Sequence, residues 1–395
     1  MYLSSFTHRE DLFNITKRWL CGRLQPDDGL RLTHILICDG FILGETLETM
    51  TNLLLRMISS GPFQKENIYL KGELRDAICR SARNTTPRVD ELIRHYKSNP
   101  DFFYMEVPVN GVICLNKERH FLGFYRIKRT RRIAEKANRY IANWIFKMVQ
   151  DRARKMAEDR AKKLGIPIER LLTPEEEMAR EFTNAEEVIA KRFREGTIEL
   201  DRFALTINDV GGVKIVGDAE RLSHIERVLS DHPMIKIVDK ANHWGNFQAN
   251  SLVLEVSWNK EHICRRYIDS RAWKKYLNRG IPEDELQKGL DHLLDGTQPT
   301  INIELILSTL PDLVESELGN SIHEERIIAQ RNNKVYKGYI PMNVEFLIEY
   351  LFAVGLSPQI AIDSLPIKLW GRYLPDTISS HIRKLYQMPE YGVLY

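Results

Sequence analysis

Cysteine is scarce in this 395-residue chain: the five present (Cys21, Cys38, Cys79, Cys114 and Cys264) are odd in number, far apart and form no CxxC pair. That argues against a disulfide scaffold, which uses a dense and even set of cysteines, and against a zinc ribbon, which needs closely spaced pairs. No apolar run reaches membrane-spanning length, and the best, Ile35–Leu47, is broken by Asp39 and Gly40, so no membrane partner is expected. The first residues show no basic segment followed by an apolar core. No signal peptide is therefore expected, and a reducing cytoplasm fits best. Common nucleotide and hydrolase signatures are missing too: there is no GxxxxGK[ST], no GxGxxG after a strand, no HExxH and no GxSxG. Without a P-loop, any phosphate must be held by side chains rather than by a backbone nest.

What is present is an ordinary globular composition, 43% hydrophobic and 28% charged with a formal net charge of +3. This near balance argues against coating nucleic acid through bulk charge. The charge is nevertheless unevenly placed. Residues 126–163 carry 14 Lys/Arg against 4 Asp/Glu, and residues 169–201 swing to 10 Asp/Glu against 5 Lys/Arg.

Residues 1–101 read as a mainly helical region, with apolar residues at three-to-four spacing in 11–24, 45–59 and 88–97. Near residue 102 the texture turns strand-like, and Asn110-Gly111 predicts a hairpin between strands at 102–109 and 112–115. A third strand, about 121–128, leads into a long helix from Thr130 to Leu164. Strands are then expected at 202–207, 213–216, 235–238 and 251–258, with an amphipathic helix at 219–230. The pattern predicts an α+β unit over 102–266 with a helical insertion at about 140–200, followed by a helical C-terminal region, 267–395.

Three constellations carry chemistry. In the first, Arg126 and Lys128 share one side of a strand, and Arg132 and Lys136 share one face of the helix that follows. Four cations at a strand-to-helix junction suit a polyphosphate. The second is Asp209-Val-Gly-Gly212-Val-Lys214, an acid before a glycine turn, of the kind that holds Mg²⁺ with one or two protein carboxylates. The third runs from Trp244 through Phe247 to Glu255 and Trp258. There the aromatics sit in a loop, and Glu255 lies mid-strand on the face opposite Leu254 and Val256, where it could approach Asp209. A second carboxylate beside a metal-bound Asp could share the metal or take a proton from a hydroxyl.

Taken together, Phe121 to Arg266 resembles the synthetase domain of the RelA/SpoT homologues, the alarmone pyrophosphokinases. That family's R-x-K-x-x-x-S-x-x-x-K is matched by Arg126, Lys128, Arg132 and Lys136, with Arg132 in place of Ser. Its D-x-x-G-x-R is matched by Asp209, Gly212 and Lys214, with Lys in place of Arg. For its N-G-Y-x-S-x-H loop, whose Tyr stacks on the acceptor base, the nearest match is Asn246-Phe247, with Trp244 beside it. For the Glu of E-[IV]-Q-[IV]-R-T the chain offers Glu255, on a convincing strand, or Glu261, whose Glu-His-Ile-Cys-Arg265 keeps the spacing better.

The resemblance implies a nucleotidyltransferase-like mixed sheet with flanking helices. It also implies an Mg²⁺-dependent enzyme that takes ATP as substrate and transfers pyrophosphate to a 3′-hydroxyl. By this resemblance Arg126, Lys128, Arg132 and Lys136 hold the triphosphate, Asp209 (with Glu255) holds the metal, and Glu255 or Glu261 assists the acceptor. GDP or GTP is the implied acceptor, giving a (p)ppGpp-type product, with a tRNA 3′ end as a variant. The family's hydrolase needs a His-Asp dipeptide, and none occurs in the chain. The different reading is a non-catalytic nucleotide- or RNA-binding protein that keeps the fold, which the departures in the acceptor loop and the insertion favour.

Overall fold

The computed structural model describes residues 1–371 apart from 60, 83–84, 172–173, 244–248, 320–327 and 329–338. A short strand β1 (Tyr2–Leu3) is followed by helices α1 (Arg9–Leu20) and α2 (Asp28–Ile58), then by β2 (Phe63–Leu70), α3 (Lys71–Ser81) and α4 (Pro87–Ser98). Strands β3 (Pro108–Asn116) and β4 (Phe121–Ile127) lead into the long helix α5 (Thr130–Leu164), against which α6 (Glu175–Glu195) packs. After β5 (Thr206–Ile207) come β6 (Gly211–Val216), α7 (Ala219–Ser230), β7 (Ile235–His243) and β8 (Ala249–Ser257). The last stretch holds α8 (Lys260–Asp269), α9 (Glu283–Gln287), β9 (Thr300–Ser308), α10 (Leu310–Leu318) and α11 (Tyr339–Leu356).

Among the described residues, seven strands form one mixed sheet in the order β2-β3-β4-β6-β9-β8-β7, parallel only between β6 and β9. The molecule is therefore α+β, with helices on both faces of the sheet. Alternation along the interior strand β9 shows how the faces divide. Ile301, Ile303, Leu305 and Leu307 are buried in the main core together with Val213, Ile215, Leu252 and Leu254. Leu43, Leu47, Met50 and Leu54 of α2 and Ile225 and Leu229 of α7 belong to the same core. Each such fully buried aliphatic side chain contributes about 1.5–3 kcal/mol. The opposite face is covered over β3 and β4 by a second core, in which Ile113, Leu115, Phe121 and Phe124 meet Leu74, Ile78, Leu92 and Leu313 of α3, α4 and α10. Beyond that second core the polar residues of β6 and β9 face a cavity.

Three departures from the sequence reading have clear causes. Asn110-Gly111 is no hairpin turn: β3 runs straight through it, with Asn110 in the left-handed region at φ 45°. Ile68 pairs with Gly111 and Leu70 with Pro108, so two residues of β3 oppose the single Tyr69, the geometry of a bulge. The chain instead turns at 117–120, where Arg119 (φ 63°) donates to the Asn116 carbonyl. The region expected to be helical after 267 contains the interior strand β9, and the N-terminal helical region contributes the edge strand β2. The strand expected at 202–207 shortens to Thr206–Ile207, paired in parallel with Tyr2–Leu3 outside the main sheet.

Among the described residues one helix, α11, is long and apolar enough to cross a membrane. It packs on α5 and α2, with Val344, Leu347, Leu351 and Phe352 buried in the main core, the environment of a core helix.

Candidate functional site

The strand-to-helix junction is built by one backbone bond. The Lys128 N–H donates to the Val210 carbonyl at 2.8 Å, prolonging the β4–β6 ladder by a step and pinning the Asp209 turn against the start of α5. Thr130 then opens α5, whose first turns place Arg132, Ile133, Lys136 and Arg139 along one wall of a cavity of about 400 Å³, a volume within the usual range for small-molecule sites. Gly212 forms part of its floor. A Cβ there would stand 3.5 Å from Glu304 Oε2, so a longer side chain would fill the space beside that carboxylate. Gly211 faces the other way, where a Cβ would come within 2.7 Å of Leu43 Cδ1.

Asp209 is held between two ammonium groups. Lys128 Nζ lies 2.5 Å from Oδ2, and Lys136 Nζ lies 2.7 Å from Oδ1. Burial by itself would raise the Asp209 pKa, but the two lysines outweigh it and hold the carboxyl down at about 2. Lys128 Nζ also lies 3.7 Å from Glu304 Oε2, so a single ammonium bridges two carboxylates. Arg132 pairs with Glu135 at 2.8 Å, the Arg126 guanidinium lies over the Phe124 ring at 5.7 Å, and Lys136 reaches the Tyr140 ring at 5.6 Å. Lys214 rises from β6 to meet Glu317 of α10 at 3.8 Å. Among the described residues, the cavity lining carries seven basic side chains against three acids, a composition that suits an anionic occupant.

The structure thus brings Arg126, Lys128, Arg132, Lys136, Asp209 and Lys214 into one cavity. It separates the two acids expected to complete them. Glu255 shares the cavity's sheet face, but its neighbours across the ladders are Lys236 and Asn302, and it does not line the cavity. The reason is topological: β9 inserts between β6 and β8 and sets β8 one strand further from Asp209. Glu261 sits exposed in the first turn of α8, beyond the far end of β8. Ala249 at the near end lines the cavity, and the eight residues to Ser257 span roughly 26 Å of strand. Trp244 and Phe247 lie outside the described residues.

Sequence reasoning missed Glu304, Lys71, Arg139 and Glu317, all of which line the cavity. For Glu304 a signal existed. Glu304-Leu-Ile-Leu-Ser-Thr309 has a Thr five positions after the acid, as does E-[IV]-Q-[IV]-R-T, on a strand with strict apolar alternation. For Lys71 and Glu317, 246 residues apart, no local pattern points to a shared site.

The basic swing of α5 is answered within the α5–α6 hairpin. Arg160 pairs with Glu177 and, at 3.2 Å, with Glu181, while Arg154 pairs with Glu158 one turn on. No group of three or more His, Cys, Asp or Glu side chains is disposed to hold a metal among the described residues. Asp209 and Glu304 are hard oxygen donors at one locus, and two carboxylates are what Mg²⁺ draws from a protein when phosphate and water complete its shell. Comparison of the chain with family models, with curated proteins and with solved structures finds no match.

Proposed function

We propose that this chain is an Mg²⁺-dependent pyrophosphokinase-like enzyme of nucleotidyltransferase-like fold, transferring pyrophosphate from ATP to a nucleotide 3′-hydroxyl. The observation that carries this reading is the Lys128–Asp209–Lys136 cluster, with Glu304 on the same ammonium, in a cavity whose described charged side chains are mostly cationic. Arg126, Lys128, Arg132 and Lys136 bind and orient the triphosphate, and Asp209 and Glu304 are the carboxylates that would hold the metal. When bound, Mg²⁺ supplies charge neutralisation at the phosphate oxygens.

Glu304 takes the proton of the attacking hydroxyl. A bond forms from the 3′-oxygen to the β-phosphorus, the bond from that phosphorus to the α–β bridging oxygen breaks, and AMP departs with the oxygen. Transfer of this kind depends chiefly on positioning and charge, so these residue types suffice. GDP, GTP and a tRNA 3′ end are the acceptors the reading names.

The test is incubation of the protein with ATP, Mg²⁺ and each acceptor in turn, following AMP release. AMP should appear with one acceptor and fall at least 100-fold in Asp209→Ala. Intact ATP binding without AMP from any acceptor would overturn the reading in favour of a non-catalytic nucleotide- or RNA-binding protein. The placement of Glu255 and Glu261 outside the cavity is the feature that favours that alternative.

A further inference from the structure

The two carboxylates that meet at Lys128 stand on separate chain segments, and one stretch of backbone ties those segments together. Tyr2–Leu3 pairs in parallel with Thr206–Ile207, just ahead of Asp209. The Ser4 N–H prolongs that pairing by donating to the Ile207 carbonyl at 3.1 Å. On its other side, the Ser4 carbonyl accepts from the Asn302 N–H at 3.0 Å, and the Ser5 hydroxyl donates to the Asn302 carbonyl at 2.6 Å. Asn302 lies two residues before Glu304, where the β6–β9 pairing begins. Ser4 and Ser5 thus cover the flank of β9 that β6 does not reach. Both serines are buried there, where unpaired backbone groups would be costly.

Side chains close the link. The Ser4 hydroxyl is shared between the Ile207 carbonyl at 3.1 Å and Asn208 Oδ1 at 2.7 Å. The same Asn208 oxygen accepts from Asn302 Nδ2 at 3.4 Å. Asn208 is the residue next to Asp209, and Asn302 shares a face of β9 with Glu304. Arg9 donates to the Ser4 and Thr300 carbonyls, at 3.0 Å each, and so fixes the same stretch to the start of β9. Ser4, Asn208 and Asn302 stand outside the cavity lining, so their influence on its contents runs through the two acids.

We propose that Ser4, Asn208 and Asn302 are positioning residues that fix the separation of Asp209 and Glu304, and with it the affinity of that pair for Mg²⁺. Mg²⁺ demands near-ideal octahedral geometry with ligands at about 2.0–2.1 Å. A small drift between two carboxylates therefore costs the metal more than it costs a triphosphate held by long lysine and arginine side chains. Outer residues that orient metal ligands are typically worth roughly 10–100-fold in metal affinity. The proposal rests on reading Asp209 and Glu304 as the metal pair, but its test requires no turnover.

Titration calorimetry of the full chain with a non-hydrolysable ATP analogue, with and without Mg²⁺, reads the metal's contribution as a gain in affinity. Mg²⁺ should tighten the analogue about tenfold or more in the unmodified chain, and Glu304→Gln should remove most of that gain. Ser4→Ala and Asn208→Ala should each cut the gain to below about threefold, and the double variant no further, because both break the same link. Without Mg²⁺, analogue affinity should stay within about twofold in all of these variants, since the cationic side chains remain. A merely structural role would not produce that split, because a loosened fold weakens binding in both conditions. Should Ser4→Ala fail to fold, Asn208→Ala alone carries the comparison. An undiminished Mg²⁺ gain in Asn208→Ala, or equal losses with and without Mg²⁺, would overturn the positioning role and leave the metal pair standing. No Mg²⁺ gain in the unmodified chain would overturn the metal pair, and the positioning role with it. The pyrophosphokinase reading falls separately, on the absence of AMP release.

Discussion

Glu304 makes the sharpest case at the scale of single residues. It stands on the interior strand β9, opposite Gly212 on one side and Val253 on the other, and its Oε2 approaches the same ammonium that binds Asp209. Replacing it by Gln keeps the shape of the cavity and removes the proton acceptor. Glu304→Gln should lower the rate of AMP release by two to four orders of magnitude, a range typical of lost general-base catalysis. Measured without Mg²⁺, dissociation constants for an ATP analogue should stay within about threefold, because the phosphate-binding lysines remain. Equal losses in rate and in ATP-analogue affinity would mean that Glu304 positions the triphosphate instead. The residue went unread because its role depends on which strand lies beside β6. The basic residues of the junction were legible because strand and helix periodicity are local properties.

Elements tell the same story at a larger step. The helices α5 and α7 could be read from the chain because long three-to-four periodicity and plain boundary residues agree. Gly165 ends α5 in a left-handed conformation, and the Asp218 carboxylate accepts from the Arg221 N–H at the start of α7. Asn110-Gly111 misled because the same backbone preference serves a tight turn and a bulge equally well. β9 was hidden because its alternating pattern stands alone between helices, and a strand's neighbours are decided by tertiary packing.

The helix α11 shows what such packing is worth. Leu351 is fully buried, in a helix that rests on both α5 and α2. Leu351→Ala should cost about 2–5 kcal/mol, read as a lower denaturant midpoint. A loss below about 1 kcal/mol would show that α11 contributes little to the core.

Across the whole molecule, the main sheet takes its strands from every third of the chain. The cavity does so as well: Lys71 comes from the first hundred residues, Asp209 from the middle, and Glu304 and Glu317 from beyond residue 300. One core joins α2, the central strands and α11. Unfolding should therefore be a single event, with the far-ultraviolet dichroism and tryptophan fluorescence transitions coinciding in urea. A separate early transition in either signal would show that one region unfolds independently of the sheet.

The place of β9 also bears on how the protein is made. A ribosome that has released the chain only as far as α8 has exposed β6 with one side unpaired, and the β7–β8 hairpin with nothing to join. Both edges are open to pairing with other chains until β9 slides between them. Among the described residues β9 is the last strand synthesised, and it seals the interior of the sheet, so the nascent chain passes through its most aggregation-prone stage shortly before it gains a site.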